Sequence, residues 1–270
     1  MSPQPPDHTD DPLDVTAHNA DVWNAAAARQ DIWSTPVTDA EIDAARRGDW
    51  TVRLTPNRPV PANWFPPMQG LSILGLACGG GQQTPLYAAA GADVTVVDIS
   101  SGQLDLDQRV ADEHGLDITT LQTDATDLSP LGDATFDLVF HPSSNSYMSD
   151  IGAVWAEAHR VLRPGGTLLA GFNNPVIYIF DLHDLDRGVF TVRHPLPHSD
   201  SVDLSEEEVT ALVSAGRALE HSHTLEQQIG GQLAAGLHLL DLYEDTFDAL
   251  AISAYLPTSI ATRARKPVAG

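Results

Sequence analysis

From residue 72 onward, short apolar segments with strand character alternate with segments of helical character, and no other feature constrains the fold as strongly. The strand candidates read SILGLA, DVTVVDI, ITTLQTD, FDLVFH and TLLAGF. In the last helix candidate between them, Ile151, Val154 and Trp155 fall on one face. Strands that alternate with helices form a parallel sheet with helices on both faces. We therefore predict an α/β fold with a doubly wound, mostly parallel sheet.

The segments that flank this alternation differ from it in composition. Residues 1–15 are rich in Pro and Asp, which predicts a disordered tail. Residues 16–68 contain two helix candidates and a proline-rich stretch, which predicts an N-terminal helical cap. Residues 69–270 would form the main domain, with a lid-like insertion at about 174–220. Two further strand candidates, LHLLDLY and SIATRAR, lie near the end of the sequence.

The net charge of the chain limits the classes of molecule that it can bind. Fourteen basic residues against 37 acidic ones give a formal net charge of −23, which repels nucleic acid and anionic lipid. We expect neither as a partner. The single cysteine, Cys78, and the absence of a signal-peptide pattern or an apolar run of bilayer length predict a cytoplasmic location. A homodimer is expected only from its general frequency.

The stretch ILGLACGGGQQT, residues 73–84, joins the first strand candidate to a helix candidate. In an open α/β sheet this is where ligands bind, and glycine N–H groups allow close approach. A tight turn alone also favours glycine, but three in succession exceed what one turn requires. The dinucleotide fingerprint G-x-G-x-x-G fails because Thr84 stands at its third glycine.

The same residues resemble the first motif of the class I S-adenosylmethionine-dependent methyltransferases, apolar-apolar-Asp-apolar-Gly-Cys-Gly-x-Gly. Cys78, Gly79 and Gly81 are in register, whereas Gly75 replaces the acid and Ala77 the first glycine. VTVVDIS, LQTDATD, FDLVFHPSSNSY and RVLRPGGTLLAGF follow in the order typical of that family. The resemblance implies a Rossmann-like sheet of seven strands, the last antiparallel.

The resemblance also implies S-adenosyl-L-methionine as cofactor. Asp98 would bind the ribose hydroxyls, although an aspartate there also suits a helix N-cap. Asp124 and the Ala125 N–H would bind adenine, and only the register favours Asp124 over Asp127. The predicted cofactor-binding residues are Cys78, Gly79, Gly80, Gly81, Gln83, Asp98, Ile99, Asp124, Ala125 and His141. We interpret Cys78 as a packing residue rather than a nucleophile.

Candidate catalytic residues follow the fourth strand candidate, where the methyl group would lie. They are His141, Asn145 and Tyr147, and His141 is suited to accept a proton near neutral pH. Each of them could equally serve loop hydrogen bonding. Trp33, Asn173 and Asn174 are the candidates for substrate or lid contacts.

The sequence thus predicts an enzyme of the EC 2.1.1 type that methylates a small molecule by in-line displacement. Two alternatives remain: a non-catalytic descendant, suggested by Gly75 and Ala77, and an NAD-dependent oxidoreductase. No metal is predicted, because the histidine pairs do not match a structural zinc pattern. The acceptor, the use of a general base and the oligomeric state are left open.

Overall fold

A seven-stranded sheet forms the centre of the protein in a computed structural model that describes residues 13–181, 184, 185 and 187–268. Its strand order is β3-β2-β1-β4-β5-β7-β6. The strands are β1 (Ser72–Leu76), β2 (Asp93–Asp98), β3 (Ile118–Gln122), β4 (Phe136–His141), β5 (Leu162–Asn173), β6 (His238–Asp245) and β7 (Ser259–Arg265). β1 to β5 are parallel, and β7 lies antiparallel between β5 and β6. The fold predicted from the alternation and from the resemblance is confirmed.

Helices precede and cover this sheet. They are α1 (Val15–Arg29), α2 (Asp39–Arg46), α3 (Thr84–Ala89), α4 (Ser101–His114), α5 (Ile151–Val161) and α6 (Glu206–Ser214). After α6 the chain forms a π-helical turn, Glu226–Gly230, that continues into the short helix Gly231–Ala234. Gly231 packs so closely on Trp155 that a Cβ would lie 2.7 Å from its ring, which explains a glycine here.

The sheet is buried on both faces, which explains why its central strands are continuously apolar. Ile73 of β1 packs with Val96 in a core that also includes residues of α2 and α3. The next residue, Leu74, faces the other side and packs in a core with Val139 and Trp155 of α5. Among the helices of the described ranges, none is both long and apolar enough to cross a bilayer.

The segment that precedes β1 packs directly against the carboxyl end of the sheet. The Leu54 carbonyl accepts hydrogen bonds from the N–H and the hydroxyl of Ser143, which follows β4. It also lies against Gly171 of β5, where a Cβ would be 2.0 Å from the Leu54 oxygen. A glycine at this position therefore fixes how closely the N-terminal segment approaches the edge where β4 and β5 end.

We predict that Gly171→Ala lowers the free energy of unfolding by about 3 kcal/mol, because the added methyl group displaces a backbone carbonyl rather than a flexible side chain. Gly230→Ala is the control, since its nearest contact would be an ordinary 3.6 Å. It should leave stability unchanged or raise it by up to about 1 kcal/mol. Urea unfolding measures both variants, and equal stability of the two would contradict the packing described here.

Candidate functional site

A crevice of about 760 Å³ lies at the carboxyl edge of the sheet. The glycine loop after β1, the residues that end β2 and β5, and the residues just after β3 and β4 line it from below. Segments from the N-terminal 70 residues and from the region after β5 line it from above. The crevice thus spans the point between β1 and β4 where the winding of the sheet reverses, which is the usual ligand position in such folds.

The amides of the glycine loop bind a carboxylate of the protein itself. Gly80 and Gly81 donate to Oδ2 of Asp107 at 2.8 and 3.1 Å, and the Thr84 hydroxyl donates to its Oδ1. Asp107 belongs to α4 and is completely buried. Burial raises the pKa of Asp107 to about 7, and the three hydrogen bonds oppose that rise. Gly80 and Gly81 do not line the crevice, so they support the loop rather than contact a ligand there.

The three glycines are required by close packing as well as by backbone conformation. At Gly79 a Cβ would lie 2.7 Å from Cβ of Gln103 on α4. Gly80 and Gly81 have φ values of +113° and +68°, a region that disfavours other residues. At Gly80 a Cβ would also approach the Trp33 carbonyl to 3.2 Å. The loop is therefore held between α4 and the N-terminal segment.

The two departures from the family motif have structural explanations. At Gly75 any Cβ would lie 2.6 Å from both Sγ of Cys78 and Cγ2 of Thr84, so this site has no room for an acid. Ala77 adopts φ 48° in place of a glycine, and its N–H donates to the Val97 carbonyl. The carboxylate that holds this loop is supplied from α4 by Asp107 instead.

Asp98 ends β2 beside the loop and borders the crevice. Its Oδ2 accepts the Gly79 N–H at 3.0 Å, and its Oδ1 accepts the Ser100 N–H at 2.9 Å. Burial raises the pKa of Asp98 to about 6, against the lowering effect of these amides. Ser100, not Asp98, caps α4 with its side chain. The N-cap alternative for Asp98 is thereby excluded.

The structure distinguishes between Asp124 and Asp127, the two acidic candidates that follow β3. Asp124 lines the crevice together with Ala125, whereas Asp127 is exposed and lies outside it. Oδ1 of Asp124 accepts from the N–H and the hydroxyl of Thr126, both at 2.8 Å. Among the described residues, none donates a hydrogen bond to Oδ2 of Asp124. Ile99 joins these residues in the lining.

The two glutamines that follow the glycines fasten the N-terminal segment over the crevice. Gln82 donates to the Ile32 carbonyl at 3.0 Å. Gln83 pairs with both backbone groups of Arg53, accepting its N–H at 2.7 Å and donating to its carbonyl at 2.8 Å. Trp33, which is 44% exposed, lines the crevice and contacts the ring of Phe247.

Helix α1 completes this roof, which consists of residues 15–37 and 51–56. Oδ1 of Asn24 accepts from the Ser100 hydroxyl and from the Gly102 N–H at the start of α4. The Asn19 side chain pairs with both backbone groups of Leu219, at 2.9 and 3.0 Å. Helix α1 therefore joins the start of α4, beside the end of β2, to the region after β5.

The structure places His141 and Asn145 behind the crevice rather than in it. His141 is fully buried, its Nδ1 lies 2.8 Å from the Leu76 carbonyl, and its Nε2 contacts the side-chain amide of Asn145. Burial lowers the pKa of His141, so the ring stays neutral. The Asn145 amide in turn donates to Gln228. These two residues form a buried network and are corrected here from catalytic candidates to structural ones.

Tyr147, the third catalytic candidate, does line the crevice and packs edge-on against Trp23. Burial raises its pKa, so its hydroxyl retains its proton. Asn173 also lines the crevice, whereas Asn174 turns away from it and donates to the Pro257 carbonyl. Asn174 is therefore not a substrate contact in this structure.

Several residues of the site are absent from the sequence prediction. Gln103 and Asp107 are polar residues four apart on the buried face of α4, and that spacing was a usable signal. Tyr178 and Glu220 line the far end of the crevice, and Arg53 and Arg217 are its cations. No local pattern marks these four, because only the tertiary fold brings them to the crevice.

The cysteine and the histidines that the structure describes have partners that suit structural roles. Burial raises the pKa of the Cys78 thiol, which disfavours a thiolate. His198 pairs with Asp200 at 3.1 Å and stacks on His194. In the part of the chain that the structure describes, no group of three or more His, Cys, Asp or Glu residues is arranged to hold a metal ion.

We predict that the stability of Asp107→Asn depends less on pH than that of the native chain. A carboxyl whose pKa is raised on folding binds more protons in the folded state, so stability falls as pH rises between the unfolded and folded pKa values. For Asp107 that window ends at about pH 7. Relative to the variant, the native chain should lose about 1.4 kcal/mol per pH unit within it. Urea unfolding from pH 5 to 8 measures this difference, and parallel curves would contradict it.

Comparison with known proteins finds methyltransferases among the sequence relatives of this chain. Residues 74–170 match a family model described as a methyltransferase domain. The chain is 42% identical over 252 residues to the uncharacterized methyltransferase YbaJ of Bacillus subtilis (strain 168), covering 93% of this chain and 98% of that protein. It is 31% identical over 116 residues to a ubiquinone biosynthesis O-methyltransferase of Azorhizobium caulinodans, covering 43% and 46% of the two chains.

Solved structures share the fold at lower identity. An S-adenosylmethionine-dependent methyltransferase from Mesorhizobium loti has a TM-score of 0.57 at 20% identity, over 76% of this chain and 94% of that one. Burkholderia thailandensis 1,6-didemethyltoxoflavin-N1-methyltransferase, with 1,6-didemethyltoxoflavin and S-adenosylhomocysteine bound, has a TM-score of 0.56 at 16% identity over 99% and 100%. The chain therefore belongs to a family of methyltransferases that includes YbaJ, and it has the fold of S-adenosylmethionine-dependent methyltransferases.

Proposed function

We propose that this methyltransferase transfers the methyl group of S-adenosyl-L-methionine to a small-molecule acceptor by in-line displacement. The observation that supports this best is the roofed crevice of about 760 Å³ at the carboxyl edge of the sheet. That volume is within the range of small-ligand sites. When bound, the cofactor supplies an activated methyl group on sulfur. The protein's own contribution is then to bind, to align and to exclude water.

The nucleoside half of the cofactor fits the side of the crevice formed by β2 and β3. Asp98 offers carboxylate oxygens for the ribose hydroxyls, and Asp124 offers one for the adenine amino group. Gln103 also lines this side, and its buried Oε1 has no hydrogen-bond partner among the described residues. Buried acceptors rarely remain unpaired, which supports a ligand donor at this position.

The amino-acid half of the cofactor carries a carboxylate that requires a donor or a cation. Arg53 is an exposed cation of the crevice lining, and its backbone is fixed by Gln83 of the glycine loop. We assign the cofactor carboxylate to Arg53, because the amides of Gly80 and Gly81 are already bound to Asp107. This assignment differs from the sequence prediction, which placed Gly80 and Gly81 among the cofactor-binding residues.

A small acceptor is favoured over a macromolecule by the roof and by charge. Residues 15–37 and 51–56 lie over the crevice, so an extended polymer has no open groove to follow. The net charge of −23 also disfavours nucleic acid. A structural relative that aligns over nearly the whole chain, the Burkholderia thailandensis enzyme, is described with 1,6-didemethyltoxoflavin bound.

We predict that Asp98→Ala weakens binding of S-adenosylhomocysteine about 10- to 150-fold, which corresponds to about 1.5 to 3 kcal/mol for a charged hydrogen-bond partner. Asp98→Asn, which keeps the shape, should also weaken it. For the native chain, affinity should fall as pH is lowered through about 6, because the carboxylate becomes protonated. Isothermal titration calorimetry measures each value.

The matched control is Asp127→Asn, because Asp127 is exposed and lies outside the crevice lining. Its affinity for S-adenosylhomocysteine should equal that of the native chain. Unchanged affinity in both Asp98 variants would remove Asp98 from the site. Binding of NAD without binding of S-adenosylhomocysteine would favour the oxidoreductase alternative.

A further inference from the structure

A polar cluster occupies the end of the crevice beyond β5 and defines a second half of the site. The Asn173 amide donates to the Tyr178 hydroxyl at 3.0 Å, and that hydroxyl donates to Oε2 of Glu220. Ser146, from the loop after β4, lies near Glu220 and lowers the pKa of its carboxyl. All four residues line the crevice, and Tyr178 is only 3% exposed. We call these four residues the Glu220 cluster.

The position of the Glu220 cluster relative to the nucleoside side is set by the strand order. Asp98 ends β2 and Asp124 follows β3, both on one side of β1, whereas Asn173 ends β5 on the other side. A nucleoside bound to the two aspartates therefore leaves the β4 and β5 side for a second molecule. Apolar side chains complete this end of the lining, among them Ile177, Leu185 and Leu250.

Charge in the Glu220 cluster is concentrated on one carboxylate. Burial raises the pKa of Glu220, the nearby Asp200 raises it further, and the Tyr178 and Ser146 hydroxyls and Arg217 oppose the rise. Asp200 accepts the Glu220 N–H at 2.9 Å and pairs with His198 on its other side. The tyrosine hydroxyls at this end have raised pKa values and retain their protons. Glu220 is therefore the member of the cluster that can take up a proton.

We propose that Glu220 is the general base of the methyl transfer and that the acceptor is a small molecule whose nucleophile is a hydroxyl or an amine. This inference rests on the function proposed above. Tyr178 and Asn173 are positioning residues, because they hold the carboxylate through hydrogen bonds. A carboxylate acceptor is disfavoured, since it brings no proton to Glu220 and would be repelled by its charge.

The proposed step balances in atoms and charge. The O–H bond of a hydroxyl acceptor, or one N–H bond of a protonated amine, breaks, and the proton passes to the Glu220 carboxylate. The electron pair freed on oxygen or nitrogen forms a bond to the methyl carbon. The bond from that carbon to sulfur breaks, and its electrons remain on sulfur as the neutral thioether of S-adenosylhomocysteine. The proton leaves Glu220 to solvent after the product departs.

The test uses S-adenosylmethionine labelled in the methyl group and a panel of phenols, alcohols, amines and carboxylic acids. We expect turnover with hydroxyl or amine members and, at saturating S-adenosylmethionine, a kcat/KM for the acceptor that falls at low pH as one group is protonated. Glu220→Gln should lower kcat about 10²- to 10⁴-fold, remove that low-pH dependence and leave S-adenosylhomocysteine affinity unchanged. The control Glu207→Gln, at an exposed position of α6, should behave as the native chain does.

Tyr178→Phe provides a second variant and a readout that needs no turnover. Loss of its hydrogen bond should raise the pKa of Glu220, because that bond lowers it in the native chain. Carboxyl ¹³C NMR titration of Glu220 measures this shift, and the low-pH limb of kcat/KM should move to higher pH with it.

Three results would overturn the inference: a Glu220→Gln variant with native kcat and pH profile, turnover confined to carboxylic acids, or no turnover of any hydroxyl or amine by protein that binds S-adenosylhomocysteine. Failure to bind S-adenosylhomocysteine at all would instead refute the proposed function, together with the inference that rests on it. Calorimetry is therefore carried out first, on the native chain.

Discussion

The buried carboxylate of Asp107 organises the glycine loop, and the geometry of the crevice follows from that loop. Two loop amides and the Thr84 hydroxyl converge on this one side chain. Buried N–H groups need partners, and a carboxylate accepts several at once. Because Asp107 belongs to α4, the loop, its following helix and α4 are fixed as one unit. These hydrogen bonds compensate for the burial of the Asp107 charge. They also direct the loop backbone inward at Gly80 and Gly81, whereas at Gly79 the backbone faces the crevice.

The roof over the crevice is anchored to the glycine loop and to α4. The loop and the roof therefore depend on shared residues. Gln103 packs against Gly79, donates to Ser34 and to the Trp23 carbonyl, and lines the crevice itself. Gln83 similarly joins the loop to the backbone of Arg53. A ligand that engages either glutamine therefore contacts the roof and the loop together.

The sequence was sufficient to predict the sheet, because strands follow from apolar runs. It also placed Asp98 and Asp124 at the carboxyl edge of the sheet, at the end of β2 and just after β3, where both line the crevice. The prediction of His141 as a catalytic residue was wrong, and the alternation of side chains along β4 already indicated this. Side chains alternate along a strand, so His141 shares the face of Val139, which packs on α5. Glu220 and Tyr178 could not be found this way, since distant segments bring them together.

The pairing of Asn19 with Leu219 joins residues 200 positions apart. Contacts of such long sequence separation form late, because the intervening chain must first be ordered. During synthesis from the N-terminus, α1 is made early but lacks this partner until nearly the whole chain has emerged. Strands β1 to β5 all precede Leu219 in the chain, so they can assemble before α1 is joined to the region after β5, and the far end of the crevice is enclosed only once that later segment has been made.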